Sequence, residues 1–366
     1  MRVIVIGAGV NGVSVAHALA TRGCEVIVLD RAAGPADEAS FANGGVVGGT
    51  QIEPWAAPGL RLKLLKWLFR EEAPLLVRWR ELPKITGWGL IFLRTCEPAR
   101  FKRNLEASGR LTRHSLACFA ATREAANMAA VDYGLIRRGA LKIYHTPEAM
   151  AEATAEAELI RGLGFSVEAI DAPACAALEP GLEPVVQSLA GGLHFGDEEI
   201  GDCRAFTRML ATQARAIGVS FRFGTRVARL VREGERIAAL ETDAGSLTAD
   251  SIVVATASWS APLLKTADLS VPVVPTKGLT ISVPAAPWPD AVKSAVMDHS
   301  RLFGLIRIGD DMRVSGSAEI TGYDTMPSDR CCDAIIANAL ELFPDFCPMP
   351  RGRAAAPLGG PAWQFA

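Results

Sequence analysis

Several residue types and patterns are scarce in this chain, and each shortage excludes something. Its 366 residues include only five histidines and three tyrosines. His17, His114, His145, His194 and His299 stand apart in sequence from carboxylate or cysteine partners, so no Ser/His/Asp constellation is legible. The eight cysteines form no CxxC pair and no Cys/His pairing at zinc spacing, which argues against a metal site and predicts free thiols in a reducing compartment. There is no surplus of either charge. Lys and Arg total 38 against 40 Asp and Glu, a net charge of −2, so nothing global attracts nucleic acid and small molecules are the expected partners. No run reaches the roughly 18 apolar residues of a spanning helix. Met1–Val10 passes straight into a strand and a glycine turn rather than a secretory signal. A cytoplasmic placement is therefore expected.

What the chain does have is an ordinary globular composition, with 49% hydrophobic and 21% charged residues. Its length predicts two domains at about 150 residues each. Arg2–Ile6 (RVIVI) is a β-branched run typical of a buried parallel strand, and Gly7, Ala8, Gly9, Val10, Asn11 and Gly12 follow at once. A helical pattern then runs from Val13 to Thr21, Gly23 stops it, and CEVIVLD (24–30) reads as a second buried strand. In this β-turn-α-β context the glycines carry meaning. Gly7 permits the tight turn, Gly9 lets backbone approach a pyrophosphate, Gly12 allows close packing, and Asp30 stands where an acid accepts hydrogen bonds from an adenosine ribose.

The motif predicts a dinucleotide, and the rest of the chain favours FAD over a nicotinamide cofactor. After Asp30 the chain leaves the sheet instead of building a second half-sheet, and recognisable alternation returns only near residue 190. Strands are expected at 139–145, 190–195, 219–223, 247–256 and 271–283, helices over much of 60–130 and at 147–163 and 204–217. An antiparallel hairpin is expected over 301–320, turning at Gly309-Asp310-Asp311. SIVVATASWS (251–260) is a buried strand ending in small residues, against which a cofactor could lie. The expected fold is α/β: a Rossmann-like FAD-binding domain over 1–50 and 185–270, an interleaved α+β substrate domain over 51–184 and 271–345, and an irregular tail over 346–366.

These segments together resemble the D-amino acid dehydrogenase small subunits of the flavin-dependent D-amino acid oxidase-like family. The carriers are VIVIGAGVNGVSVAHALATRG (3–23), VIVLDR (26–31), SFANGG (40–45), PWAAPGLRLKLLKWLF (54–69), GGLHFGDEEIGDCRAFT (191–207), SIVVATASWS (251–260), PTKGLTI (275–281) and RVSGSAEITGYDT (313–325). The resemblance implies noncovalent FAD, oxidative deamination of D-amino acids to 2-oxo acids and ammonia, and electrons passed to a respiratory quinone or other acceptor. It also implies roles by position. Gly7 to Gly12, with Val3, Ile6 and Val13 of the same stretch, match the pyrophosphate turn, and Asp30 and Arg31 the adenosine end. Ser40, Asn43 and Gly44 match a loop near the flavin, Val227 the strand whose backbone meets adenine, and Ala255, Thr256, Ala257 and Trp259 a second flavin-adjacent turn. At 257, where the family commonly has Gly, this chain carries one methyl more. For the substrate carboxylate the cation candidates are Lys277, Arg307 and Arg313, each of which could equally be a solvated strand residue.

Three alternatives stay open at this level: a flavin oxidoreductase for secondary amines of the D-hydroxyproline or sarcosine type, an inactive remnant, and a nicotinamide enzyme. Leu60–Arg70 (LRLKLLKWLFR) sets Lys63, Lys66 and Arg70 on one side of a helix and leucines with Trp67 on the other. Such a helix either lies peripherally on the inner face of the plasma membrane or packs on its own core. The Pro/Gly/Ala/Arg-rich tail 350–366 is read as replacing ordered C-terminal elements that the family resemblance implies, which would truncate the FAD domain.

Overall fold

A computed structural model describes residues 1–41, 43–61, 64, 75–125, 133–285, 288, 292–344 and 346. The described residues divide into two compact units, one of Met1–Asn43 with Cys203–Thr276, the other of Gly44–Asp202 with the described residues from Lys277 to Phe346.

In the first unit, strand β1 (Arg2–Ile6) leads through the glycine turn into helix α1 (Val10–Ala20), and strand β2 (Glu25–Leu29) follows. β1 pairs in parallel with β2 on one side and with strand Ser251–Val254 on the other, while Ser220–Arg222 extends the sheet beyond β2. All four strands point the same way, so the turns that leave β1, β2 and Ser251–Val254 lie at one edge. That edge, where neighbouring strands connect in opposite directions, is where open parallel sheets bind ligands. Helix Cys203–Ala216 packs on α1. A three-stranded antiparallel sheet of Val227–Glu233, Arg236–Thr242 and Gly245–Leu247 completes the unit. Ile4, Ile6, Leu29, Leu230, Leu240 and Leu263 share one core between the two sheets.

The second unit is built on an eight-stranded mixed sheet, in the order Lys277–Pro284, Asp311–Ile320, Phe303–Ile308, Ala295–Asp298, Ala140–Tyr144, Gly191–Phe195, Glu168–Ile170, with Leu75–Val77 added beside residues 318–320. Its two faces bury different cores. Leu141, Leu279, Leu305, Met312 and Val314 pack toward helix Asp329–Leu342, whereas Ala140, Ala295, Ile306 and Ile308 pack with Ile200 and Val46 on the opposite face.

Most expected elements form, including the hairpin, which turns at Gly309 with φ +59°. The boundaries move for nonlocal reasons. Residues 185–202 lie in the second unit because Gly191–Phe195 hydrogen-bonds to both Ala140–Tyr144 and Glu168–Ile170. Gly44–Thr50 joins them because Val46–Val47 pairs with Glu199–Ile200. The expected strand 271–283 begins only at Lys277, and the run 247–256 is split between Gly245–Leu247 and Ser251–Val254. Within the expected helical stretch, Leu75–Val77 is a strand and the helices are Leu82–Thr95 and Pro98–Ala125. Of Leu60–Arg70 only residues 60, 61 and 64 are described; Leu60 and Leu64 pack on Ala56, Phe92 and Cys96, and Arg61 donates to the Leu93 carbonyl at 2.7 Å. Lys63, Lys66 and Arg70 lie outside the described residues, as does the tail from 347. Among the described residues no helix is long and apolar enough to cross a membrane.

Candidate functional site

Close backbone approach dictates the glycines of the first unit. Gly7 has φ +106°, and a Cβ there would stand 2.5 Å from the Ala255 carbonyl oxygen; a Cβ on Gly12 would overlap the carbonyl of Gly7. The amide of Ala255 in turn donates to the Ile6 carbonyl at 2.8 Å, so the Gly7–Gly12 turn and the 255–257 turn abut. Gly9 caps α1 in an extended conformation and the first helical turn carries no acid, which leaves its N-terminus suited to an anion. Ser40, buried beside Gly9, accepts a hydrogen bond from the Val10 amide at 3.0 Å. Val3, Ile6, Ala8 and Val13 are all core residues, so what they can offer a cofactor is backbone.

Asp30 follows the last residue of β2, and both of its carboxylate oxygens are engaged by backbone amides. One carboxylate oxygen accepts from the Ala8 amide at 2.6 Å and the other from Ala32 at 2.7 Å, tying the end of β2 to the glycine turn. Burial raises its pKa, an effect these backbone bonds oppose. A carboxylate has about four lone-pair sites, which leaves acceptor capacity for a ribose hydroxyl. Arg31 pairs with Glu38 and lies 4.3 Å over the Trp259 ring, joining two residues expected at different ends of a dinucleotide. Thr225 donates to the Asp30 carbonyl at 2.9 Å, which sets the start of Val227–Glu233 next to β2. Ala257 takes φ +47°, the left-handed conformation in which glycine costs nothing. Asn43 closes the first unit and Gly44 opens the second, where a Cβ on Gly44 would meet Ile306. A glycine cradle, an acid-free helix N-terminus and a carboxylate at the end of the second strand fit the pyrophosphate and ribose of FAD.

The second unit separates the three cation candidates. Lys277 is 4% exposed, donates to the Met326 carbonyl at 2.8 Å and pairs with Glu319 at 3.4 Å, on the face toward helix Asp329–Leu342, where Cys331 also reaches Glu319. Arg307 is paired in register with Met312 and shares that face, its Nε 3.5 Å from the Gly309 carbonyl. Arg313 is opposite Ile306 and Ser282, on the other face. It is 7% exposed and ion-pairs with Asp202 at 2.6 Å. Beside it Thr280 and Ser315 hydroxyls are 3.1 Å apart, and the buried Ser282 hydroxyl has no hydrogen-bond partner among the described residues. Neither Lys277 nor Arg313 is the solvated strand residue that was one expectation for each. The polar positions 280, 282, 313 and 315 alternate with the apolar Leu279, Ile281, Val283, Met312 and Val314, a signal of a polar sheet face that sequence reasoning passed over.

The expectation that the histidines lack acidic or thiol partners needs correction. His145 Nε2 is 2.8 Å from Asp298, which also binds Arg301, and His114 is 3.5 Å from Cys118. The Asp298 partner lies 153 residues away and was invisible locally, while the His114–Cys118 pair at i, i+4 was not. No group of acids, cysteines and histidines among the described residues could hold a metal ion.

Comparison with known proteins agrees with this geometry. A D-amino acid dehydrogenase of Phenylobacterium zucineum (strain HLK1) is 37% identical over 352 residues, covering 96% of this chain and 82% of that protein. One from Paramagnetospirillum magneticum (strain ATCC 700264 / AMB-1) is 39% identical over 346 residues, 94% of this chain and 81% of the relative. Among solved structures, L-proline dehydrogenase from P. horikoshii superposes with a TM-score of 0.70 at 16% identity, covering 94% of this chain and 77% of its own. Glycine oxidase from Geobacillus kaustophilus gives 0.68 at 21% identity, with 94% and 79% covered. These two establish likeness of fold. The family model described as DAO, FAD dependent oxidoreductase, matches residues 2–360, and on that match and the close relatives this chain belongs to the FAD dependent oxidoreductase family.

Proposed function

We propose that this protein oxidises D-amino acids to 2-oxo acids and ammonia, with FAD as its resident cofactor and a respiratory quinone or other acceptor downstream. The observation that carries the reading is 37% identity to a D-amino acid dehydrogenase across 96% of the chain. In the overall change the amino acid loses two electrons and two protons to become an imino acid, and water converts that to the 2-oxo acid and ammonia. When bound, flavin supplies the two-electron acceptor. The work left to the protein is to bind and orient, which needs no nucleophile. Backbone amides at the start of α1 would hold the pyrophosphate and Asp30 the ribose. Arg313, buried and fixed by Asp202, is the proposed partner of the substrate carboxylate, and Thr280, Ser282 and Ser315 supply hydroxyls on the same face. A peripheral contact with the inner face of the plasma membrane through residues 60–70 would suit a quinone acceptor. It rests on the sequence pattern, and Lys63→Glu, Lys66→Glu and Arg70→Glu together should release the protein from membranes.

The direct test is reduction of an artificial dye by the FAD-loaded protein with D-alanine, L-alanine, sarcosine and D-hydroxyproline. Turnover with D-alanine and none with L-alanine is expected. Turnover confined to the secondary amines would replace this reading with the second one, and no flavin retention with no turnover would leave an inactive remnant. Arg313→Met should raise KM for D-alanine about 10- to 150-fold, the range of one charged hydrogen bond of ~1.5–3 kcal/mol. An unchanged KM would remove Arg313 from the site.

A further inference from the structure

We infer that Arg204 is a positioning residue for the cofactor, holding segment 35–41 so that Ser40 stays on the first turn of α1. Arg204 lies in the first turn of helix Cys203–Ala216, which packs on α1. Its Nη2 donates to Asp37 Oδ1 at 3.0 Å, and its guanidinium carbon lies 3.8 Å from the centroid of the Phe41 ring. Asp37 and Phe41 bracket Ser40. The segment is tied independently to the glycine turn, since Ala36 donates to the Ala8 carbonyl at 3.0 Å and Ser40 accepts from the Val10 amide. One edge of the segment is therefore fixed to the backbone that would meet a pyrophosphate, and Arg204 fixes the other.

Two features set Arg204 apart from a routine surface cation. Its Nε is buried without a hydrogen-bond partner among the described residues, a cost that a flexible side chain would escape by turning outward. Arg208, one turn on, reaches the same Asp37 carboxylate at 3.1 Å, so Asp37 would remain paired without Arg204. What Arg204 uniquely adds is the stack on Phe41, and a planar guanidinium over an aromatic face restrains the ring in a way that Lys cannot. Held there, Ser40 spends a lone pair on Val10 and keeps its own O–H to donate to a phosphate oxygen at the anion-ready N-terminus of α1. The inference rests on the FAD reading, and its residues are separate from those proposed to touch substrate.

Titration of FAD-stripped protein with FAD, followed by quenching of flavin fluorescence, together with melting of the stripped and loaded forms, tests it. Wild type should bind and gain melting temperature on loading; failure to bind would sink the FAD reading, and this inference with it. Arg204→Met should raise the Kd for FAD about tenfold, equivalent to ~1.4 kcal/mol. It should also shrink the melting increment on loading while leaving the stripped protein near the wild-type value. Arg204→Lys should recover only part of the affinity, Phe41→Leu should copy the Met defect, and the double variant should be no worse than either single one. Arg208→Met, which keeps the stack, should bind FAD as wild type does. A wild-type Kd in Arg204→Met overturns the proposal. So does a loss of melting temperature equal in stripped and loaded protein, which would mean that Arg204 only supports the fold. If Arg204→Met does not fold, Phe41→Leu carries the same test with the same outcomes.

Discussion

Replacing Glu198 with Ala should cost the second unit several kcal/mol, and replacing it with Gln should cost little. Glu198 is 3% exposed, and its carboxylate accepts from the amides of Gly49 and Thr50 and from the Thr50 hydroxyl. A Cβ on Gly48 would fall on that same carboxylate and one on Gly49 would fall on the Phe165 ring, which accounts for the second glycine pair in the 41–50 loop. Truncation to Ala strands two amide donors and a hydroxyl at a residue, Thr50, that has no solvent contact. Each unsatisfied buried group costs roughly 1–3 kcal/mol, so the sum starts near 3 and is capped where local opening of the loop becomes cheaper than enduring it. A loss of about 2–4 kcal/mol is expected, a large share of the 5–15 kcal/mol of a typical domain. Gln keeps one oxygen for both amides and turns its NH2 toward the Thr50 oxygen, so its loss should stay below about 1 kcal/mol. Urea unfolding at constant m-value measures both. Equal losses for Ala and Gln would show that charge, not acceptor geometry, holds the loop; a loss below about 0.5 kcal/mol for Ala would refute the burial argument itself.

The glycines of the dinucleotide turn should respond differently to substitution: a Cβ at Gly12 overlaps the Gly7 carbonyl, so Gly12→Ala should lower the melting temperature, whereas a Cβ at Gly9 meets the Ser40 hydroxyl at 3.3 Å, so Gly9→Val should keep the fold while abolishing FAD retention, read from the visible spectrum. Ala257→Gly removes a left-handed alanine, whose strain of about 1–2 kcal/mol exceeds the ~0.4–1 kcal/mol of chain entropy that glycine adds, so calorimetry should show a modest rise in stability and not a fall. Glu156 is pushed up to about 7, by burial first and then by Glu53 and Glu152, with Lys142 opposing. Its folded pKa exceeds its unfolded one, so its contribution is complete below about 4.5 and lost as pH rises through about 7; Glu156→Gln should flatten that part of the urea-midpoint profile, and an unchanged slope would assign it to other groups.

The residues legible in the sequence are those whose role is fixed by their near neighbours in the chain. The β1-turn-α1-β2 unit could be read directly because Gly12 and Asp30 act within one crossover, Gly12 against the Gly7 carbonyl and Asp30 on the Ala8 amide, whereas the close approach at Gly7 is to Ala255, far along the chain. Glu198 could not, since the loop it anchors lies 148 residues earlier, and neither could the stack of Arg204 on Phe41. Ala257 carries one methyl more than the family's glycine, and its positive φ shows the backbone taking the conformation that suits that glycine.

Register is where local reading fails for the cation candidates. In strand Asp311–Ile320 simple alternation from Arg313 would put Glu319 on the same face as Arg313. Instead the pairing with Lys277–Pro284 shifts between Gly278 and Leu279, leaving Ser317 as an extra residue with φ +60°. Such a bulge inverts every side chain beyond it. Glu319 consequently turns to the opposite face, directly across from Lys277 and next to Cys331. Without the bulge Lys277 would be a buried cation with no counter-ion, a far costlier arrangement than a buried pair. One left-handed serine thus gives Lys277 a structural partner and leaves Arg313, two residues before Ser315, as the buried arginine on the hydroxyl-lined face.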